Sequence, residues 1–488
     1  MRIPRQAASV CSLPLCGAVN VPAPDSARPT DGRSGLLRLD DPHDAFAARL
    51  ALVENARTSI DIQCYIWSPD LTGLMMLDAL ADAAGRGVRV RLLLDDVGSF
   101  DLGDRPFELA GVDGLQIRLF NPLAWRRHLW LGYLVNFRRA NRRMHNKLFI
   151  VDGRHAIVGG RNMADEYFAA DSGRLFTDLD ALVTGTAVSA MSADFERYWT
   201  SRPAMPVRPR GRAADAGAVV SALKRQTKRL LEKQRGQTFM QHVRASVLSH
   251  PPDSWNLSLV WARARLISDS PGKVKGRAGP KPLIAEQLQT AVGLPQRSIH
   301  IVSPYFVPTR SGARLFARLA RSGVKVIVLT NSLAATDVAA VHSGYSRYRK
   351  YLLKSGVKLY EMRRLDGALR PHSGAPLSAG SSLHAKTFAV DGRRLFIGSF
   401  NFDPRSARLN TEVGLLIASK TLARQLENLF SGQVPAQAYK VQLGPRKRLQ
   451  WLEHNANGLT CHRREPDVSL WRRLCVAILA RLPIEGLL

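Results

Sequence analysis

Short apolar runs bounded by turn residues dominate the chain, and their order repeats. The run "SIDIQCYIWSP" (59–69) is followed by a helical period at 74–84, then by "GVRVRLLLDD" (87–96) and "LQIRLFN" (115–121). A matching series begins with "SIHIVSPYFVP" (298–308), continues with a helical period at 315–320, and ends with "GVKVIVLTNS" (323–332) and "VKLYEMR" (357–363). The first strands of the two series are offset by 239 positions and the second by 236, so one loop differs by three residues. Strand, helix, strand in that order predicts right-handed βαβ units and a mixed or parallel sheet. Each series then closes with two apolar runs around a turn. These are 148–151 and 156–158 about Asp152-Gly153, and 387–390 and 395–397 about Asp391-Gly392. Asp-Gly between two such runs is a hairpin signal. The fold class is therefore α/β, with two homologous α/β domains related by a pseudo-twofold axis and the active site at their junction.

The division that follows is a leader over 1–42, a first domain over 43–200, a basic helical connection over 201–257, a second domain over 258–435 and a tail over 436–488. The connection has no counterpart in the repeat. It opens with Pro203, Pro206 and Pro209 and becomes helical and basic at "ALKRQTKRLLEKQRGQ" (222–237). Its charges read first as a solvated helix face.

Polar residues within the repeat carry the chemistry. His145, Lys147, Asp152, Gly160 and Asn162 recur 239 positions later as His384, Lys386, Asp391, Ser399 and Asn401. Residues two apart on a strand share a face, so His145 points with Lys147 and His384 with Lys386. The small residues allow close approach by backbone or ligand, and the asparagines return an amide beside the His and Lys. Asp152 lies seven residues after His145 and faces away from it. The aspartates belong to the catalytic set as orienting or turn-forming groups rather than attackers. One His-x-Lys means little, but recurrence of every polar member at one offset points to two halves of a single phosphate-handling site.

Here the chain resembles the phospholipase D superfamily, whose signature H-x-K-x4-D-x6-G-[GS]-x-N is complete in both copies. The flanking text "SLHAKTFAVDGRRLFIGSFNFDPRSARLNTEVG" (382–414), "FTDLDALVTG" (176–185) and "LPIEGLL" (482–488) resembles bacterial cardiolipin synthases, most of all the cardiolipin synthase C type. The likeness runs over roughly residues 40–488. It implies phospholipase D-like domains and a phosphatidyltransferase that makes cardiolipin from phosphatidylglycerol and a second phospholipid, with phosphatidylethanolamine as a candidate donor. Hydrolytic phospholipase D and phosphodiesterase or nuclease activity are the alternatives within the superfamily.

Chemistry at such a junction needs positive groups on the phosphate oxygens and two imidazoles. Lys147, Lys386, Asn162 and Asn401 suit the first task, with Gly160 and Ser399 among the substrate-binding positions. Histidine suits the second because its ordinary pKa, about 6.5, lies near working pH. One neutral imidazole attacks phosphorus, and the other donates to the departing alkoxide and then deprotonates the incoming alcohol. Such a division predicts a bell-shaped pH profile. By resemblance, attack falls to His145 and acid–base work to His384. Asp178 and Glu412 occupy matching places after each motif and are candidates to orient an imidazole. The chemistry requires no metal and no cofactor.

Charge and composition narrow the partners. Seventy Lys and Arg against 40 Asp and Glu leave +30, which favours anionic phospholipid or nucleic acid. The segment 121–143, with Trp125, Trp130, Tyr133 and Phe137 among six arginines, suits a bilayer interface better than a base-reading groove. An anionic membrane surface is thus preferred to nucleic acid. The tail at 469–488 is too charged to span and fits the interface through Trp471, Leu474, Ile478 and Leu482, or else docks on the protein body. No run reaches the ~20 apolar residues of a membrane-crossing helix. Residues 1–19 carry a faint signal-peptide outline, with export as the lesser alternative to a disordered leader. The five cysteines have no paired spacing. The expected location is peripheral on a bacterial inner membrane, on its cytoplasmic side. A helper protein is a further possible partner that the sequence does not identify.

Overall fold

Alternating buried positions build each half around the same strands. The computed structural model describes residues 31–123, 137–170, 174–209, 216–276, 282–364, 380–455 and 458–488. In the first half, β1 (Ser34–Leu39), β2 (Ser59–Cys64), β3 (Arg89–Asp95) and β4 (Leu115–Phe120) precede the hairpin β5 (Leu148–Val151) and β6 (His155–Gly159). Then come β7 (Arg174–Thr177), β8 (Asp180–Gly185) and β9 (Ala204–Pro206). The second half repeats the series as β10 (Val260–Ser268), β11 (Ser298–Val302), β12 (Lys325–Asn331) and β13 (Lys358–Met362). It continues with β14 (Gly380–Leu383), the hairpin β15 (Lys386–Val390) and β16 (Arg394–Gly398), and β17 (Val413–Ala418). Finally β18 (Ala438–Leu443), β19 (Leu449–Asn455) and β20 (Gly458–His462) extend the edge.

Pairing joins 18 of these strands into one sheet. From the first edge the order is β9-β4-β3-β2-β5-β6-β8-β1, and it crosses to β10-β17-β16-β15-β11-β12-β13-β18-β19-β20. Outward from the antiparallel β1–β10 seam the equivalents appear in the same sequence on both sides. That is the pseudo-twofold arrangement expected of the repeat. Only β2–β3–β4 and β11–β12–β13 run parallel within the sheet. The helices Leu71–Gly85 and Thr309–Arg321 make the β2–β3 and β11–β12 crossovers, both longer than the apolar periods that announced them. Asp70 caps the first by accepting from the Gly73 amide at 3.1 Å.

The halves share a core. Leu36, Val158, Val183 and Tyr198 from one half belong to the same apolar cluster as Val302, Ile397 and Leu415 from the other. Two further clusters lie in the separate halves. The connection forms helices Ala216–Leu231 and Gln234–Ala245, and buries Leu223, Phe239 and Val243 against the first half.

Three boundaries differ from the sequence reading, among them the first domain's end at 200, because Ala204–Pro206 pairs with β4. The leader does not extend to residue 42, because Ser34–Leu39 is the seam strand, paired on both sides with β8 and β10. So short a run gains its strand state from those neighbours rather than from its own pattern. The second half likewise does not stop at 435, since β18 pairs with β13 and carries β19 and β20 with it. Residues 1–30, including the signal-peptide outline, and Trp125, Trp130 and Tyr133 lie outside the described residues. Among the described residues no helix is long and apolar enough to cross a membrane.

A buried charge group ties β8 to its surroundings. Asp180 is fully buried and accepts from Arg49 at 2.8 Å and Arg161 at 3.3 Å. Removing one member of a buried ion network strands its partners. Asp180→Ala is expected to lower the unfolding free energy by about 3–5 kcal/mol, read from chemical denaturation midpoints at unchanged m-value.

Candidate active site

Each signature histidine enters the site where its strand borders the opposite half. The His145 amide donates to the Thr411 carbonyl at 2.9 Å, and the Thr411 amide returns to Arg143 at 3.0 Å. On the other side β14 pairs with β7, and the His384 amide donates to the Thr177 carbonyl at 2.8 Å. Thr411 and Thr177 immediately precede Glu412 and Asp178. The backbone crossing therefore sets each imidazole against the carboxylate of the other half. His145 Nδ1 lies 2.9 Å from Glu412 Oε2, and His384 Nδ1 lies 2.5 Å from Asp178 Oδ2. A Nδ1–H donated to a carboxylate leaves Nε2 as the free, basic nitrogen of the neutral ring.

The lysines follow their histidines around the same centre. Lys147 Nζ donates to the His145 carbonyl at 2.8 Å and lies 5.2 Å from the centre of the Tyr65 ring. Lys386 Nζ contacts the His384 carbonyl and sits 2.9 Å from its Nδ1. Tyr65 stands edge to face on His145, and Tyr167 does the same on His384. Asn162 donates to the Tyr167 hydroxyl at 2.7 Å and accepts from the Ile66 amide at 3.1 Å. Asn401 Oδ1 is buried with no hydrogen-bond partner among the described residues.

Burial and mutual repulsion shift every group here. Burial, then Lys147, Lys386 and Arg405, hold His145 well below the ordinary histidine range. Burial followed by Lys386 takes His384 to about 4, against the pull of Asp178. Burial and the neighbouring lysine lower Lys147 to about 7, and burial lowers Lys386 to about 8 although Asp178 and Glu412 oppose it. The carboxylates diverge. Burial raises Glu412 to about 7 despite Lys147. Burial also raises Asp178, but His384 and Lys386 outweigh it and hold that carboxyl below its usual range.

Four expected positions have other surroundings than the sequence reading gave them. Gly160, expected at the substrate, packs on Asp178: a Cβ there would stand 2.0 Å from its Oδ1. Ser399, its counterpart, donates to Glu412 and accepts from the Val413 amide at 3.0 Å. Both small residues thus lie behind the orienting carboxylates. Asp152 and Asp391, grouped with the catalytic residues, sit at the hairpin turns, at the opposite end of β5 and β15 from the lysines. Asp152 accepts from the amides of Thr58 at 2.7 Å and Ser59 at 2.9 Å, and Asp391 from those of Arg297 at 2.7 Å and Ser298 at 3.0 Å. Both aspartates take left-handed backbone angles, φ 52° and 55°. They fasten each hairpin to the start of β2 or β11.

Sequence reasoning passed over Tyr65, Tyr167, Arg405 and Asp403. Arg405 bears on His145 electrostatically, and buried Asp403 caps the helix Pro404–Arg408 through the Ser406 amide at 2.6 Å. An Asp-Pro pair directly after the second motif was the available helix-start signal.

Known proteins share this construction. The family described as "Cardiolipin synthase, PLD-like domain" matches residues 50–199 and again 285–433. Cardiolipin synthase C of Escherichia coli is 42% identical over the whole of both chains. A cardiolipin synthase of Listeria monocytogenes is 28% identical over 85% of this chain and 71% of its own. The crystal structure of the phosphatidylserine synthase of Haemophilus influenzae superposes with a TM-score of 0.59 at 14% identity, over 93% of this chain and 95% of that one, a likeness of fold. With the family matched once in each half, and a full-length relative well above the level at which chains share ancestry, this chain belongs to the cardiolipin synthase family of phospholipase D-like proteins.

Proposed function

We propose that the chain is a phosphatidyltransferase making cardiolipin from phosphatidylglycerol and a second phospholipid, with phosphatidylethanolamine as a candidate donor. The observation carrying this is the pair of crossed imidazole–carboxylate contacts, buried together with two lysines. That centre brings two imidazoles and two lysine amines together for one phosphodiester.

His145 Nε2 attacks the donor phosphorus, and the bond from phosphorus to the head-group oxygen breaks. His384 delivers a proton to that oxygen. The phosphohistidine then meets a phosphatidylglycerol hydroxyl, whose proton goes to His384 as its oxygen displaces His145. The asymmetry of the carboxylates supports this division. Asp178 stays ionised and favours a proton on His384, whereas Glu412, raised to about 7, supports the imidazolium of His145 less. An anionic phosphodiester among these groups raises the proton affinity of His384 and both lysines. Asn401 Oδ1, with no hydrogen-bond partner among the described residues, can accept from a substrate hydroxyl. The work takes place at the surface of the membrane that holds both lipids, and the inner membrane's cytoplasmic side is the expected location.

Purified protein with phosphatidylglycerol vesicles, with and without phosphatidylethanolamine, is expected to yield cardiolipin on lipid chromatography. His145→Ala and His384→Ala should each cut that product by about 10²–10⁴-fold. Phosphatidic acid as the sole product would make the enzyme a hydrolase.

The pH profile should be bell-shaped with limbs of different origin. As pH falls below the ordinary histidine range, His145 takes up a proton and its nitrogen can no longer attack phosphorus. As pH rises through 7–8, Lys147 and Lys386 lose their protons and phosphate binding weakens. We expect the alkaline limb of kcat/KM in that window, and the limb of kcat at higher pH because bound phosphate keeps the lysines charged. A kcat/KM flat from pH 5 to pH 9 would contradict this assignment.

Asp152→Ala should separate fold from chemistry. Loss of its amide contacts is expected to cost about 1–2 kcal/mol of stability. Turnover per folded molecule at 25 °C should stay near that of the parent, as measured by activity normalised to the folded fraction.

A further inference from the structure

The helix Leu470–Leu479 buries one residue, Val476, and turns its apolar side outward. Leu470 and Trp471 are each 74% exposed, with Leu474 at 48%, Ile478 at 51% and Leu482 just beyond the helix at 42%. Positions 470, 474 and 478 fall on one helical stripe, with 471 beside it. Isolated exposed leucines are ordinary, but a stripe led by an exposed tryptophan marks a contact surface.

Charge around the stripe is one-sided. Arg463, Arg464 and Arg481 are exposed. Of the nearby carboxylates, Glu465 accepts from Arg349 at 2.8 Å and Glu485 from the Tyr348 hydroxyl at 2.7 Å, and exposed Asp467 accepts from the Tyr439 hydroxyl at 2.7 Å, so three exposed arginines stand against one exposed carboxylate. An apolar face rimmed by arginine complements an anionic lipid surface. In a twofold pairing with a second copy, the same arginines would face one another.

The helix also stands at the site's end of the second half. Val468 and Val476 pack on Leu333 and Ala334, and Arg472 donates to the Thr336 carbonyl at 2.8 Å. Those residues directly follow β12, whose last residue, Asn331, donates to the Leu383 carbonyl at 2.9 Å and accepts from its amide at 3.0 Å. Leu383 precedes His384. Beyond the helix, Leu488 packs on Val307 and Val341, and its carbonyl accepts from the Arg405 amide at 2.9 Å. The tail is therefore anchored on both sides of the second motif.

We propose that the helix Leu470–Leu479 lies in the surface of an anionic bilayer and presents the crossed histidine site to lipid head groups. The inference rests on the lipid-transfer reading for its purpose but not for its measurement. Full-length protein and the variant Trp471→Glu/Leu474→Glu/Ile478→Glu are sedimented with vesicles of phosphatidylglycerol and phosphatidylcholine, and with phosphatidylcholine alone. Turnover is then measured on those vesicles and on monomeric, water-soluble dihexanoyl phosphatidylglycerol.

Binding of the parent should depend on phosphatidylglycerol, and the variant should lose at least about tenfold in vesicle partition and in vesicle turnover. Its turnover of the monomeric lipid should stay within about twofold of the parent. Trp471→Ser, at a site too exposed to unfold the chain, should show a smaller loss in the same direction. Unchanged sedimentation of a folded variant would overturn the proposal. So would equal loss on both substrates, or a change of oligomeric state with vesicle binding intact. A parent that binds vesicles yet turns over neither lipid would instead defeat the transferase reading and leave this surface standing.

Discussion

Two imidazoles held by carboxylates from the opposite half organise this molecule. The His145–Glu412 contact joins residues 267 positions apart, and His384–Asp178 joins residues 206 apart. Neither half owns a complete imidazole–carboxylate pair. The halves must therefore meet in one register, and the structure secures that register several times over. The β1–β10 seam, the β7–β14 pairing and the shared apolar core all fix the same relation between them.

The same arrangement explains how so much charge is kept out of water. Lys147, Lys386, Asp178 and Glu412 are all buried, and each would be costly alone. Together they form a network in which lysine offsets carboxylate, and burial, followed by the neighbouring lysine, lowers the proton affinities of Lys147 and His384. Under the proposed function, an anionic phosphodiester entering this centre would raise the proton affinity of its lysines and histidines.

Small residues beside the site acquire a specific reason in this light. Gly160 is small because the Asp178 carboxylate occupies the place of a side chain. Its counterpart is serine because Glu412, one methylene longer, meets a hydroxyl there. The aspartates of the signature act at the far end of the hairpins, holding the strands that present the histidines. They belong to the frame of the site and not to its centre.

Local periodicity in the chain determined the repeat, the βαβ order, the hairpins and the faces shared by His145 with Lys147 and His384 with Lys386. These rest on spacing between near neighbours, which a strand or helix converts directly into direction. Asp178 and Glu412 were visible as matching carboxylates, but not their exchange between halves. Only the tertiary structure decided that exchange, the place of Ser34–Leu39 at the seam, the packing of Gly160 and Ser399 behind the carboxylates, and the outward face of the tail helix. Each depends on contacts across long stretches of chain or on burial, and neither is written in the periodicity of the segments that meet.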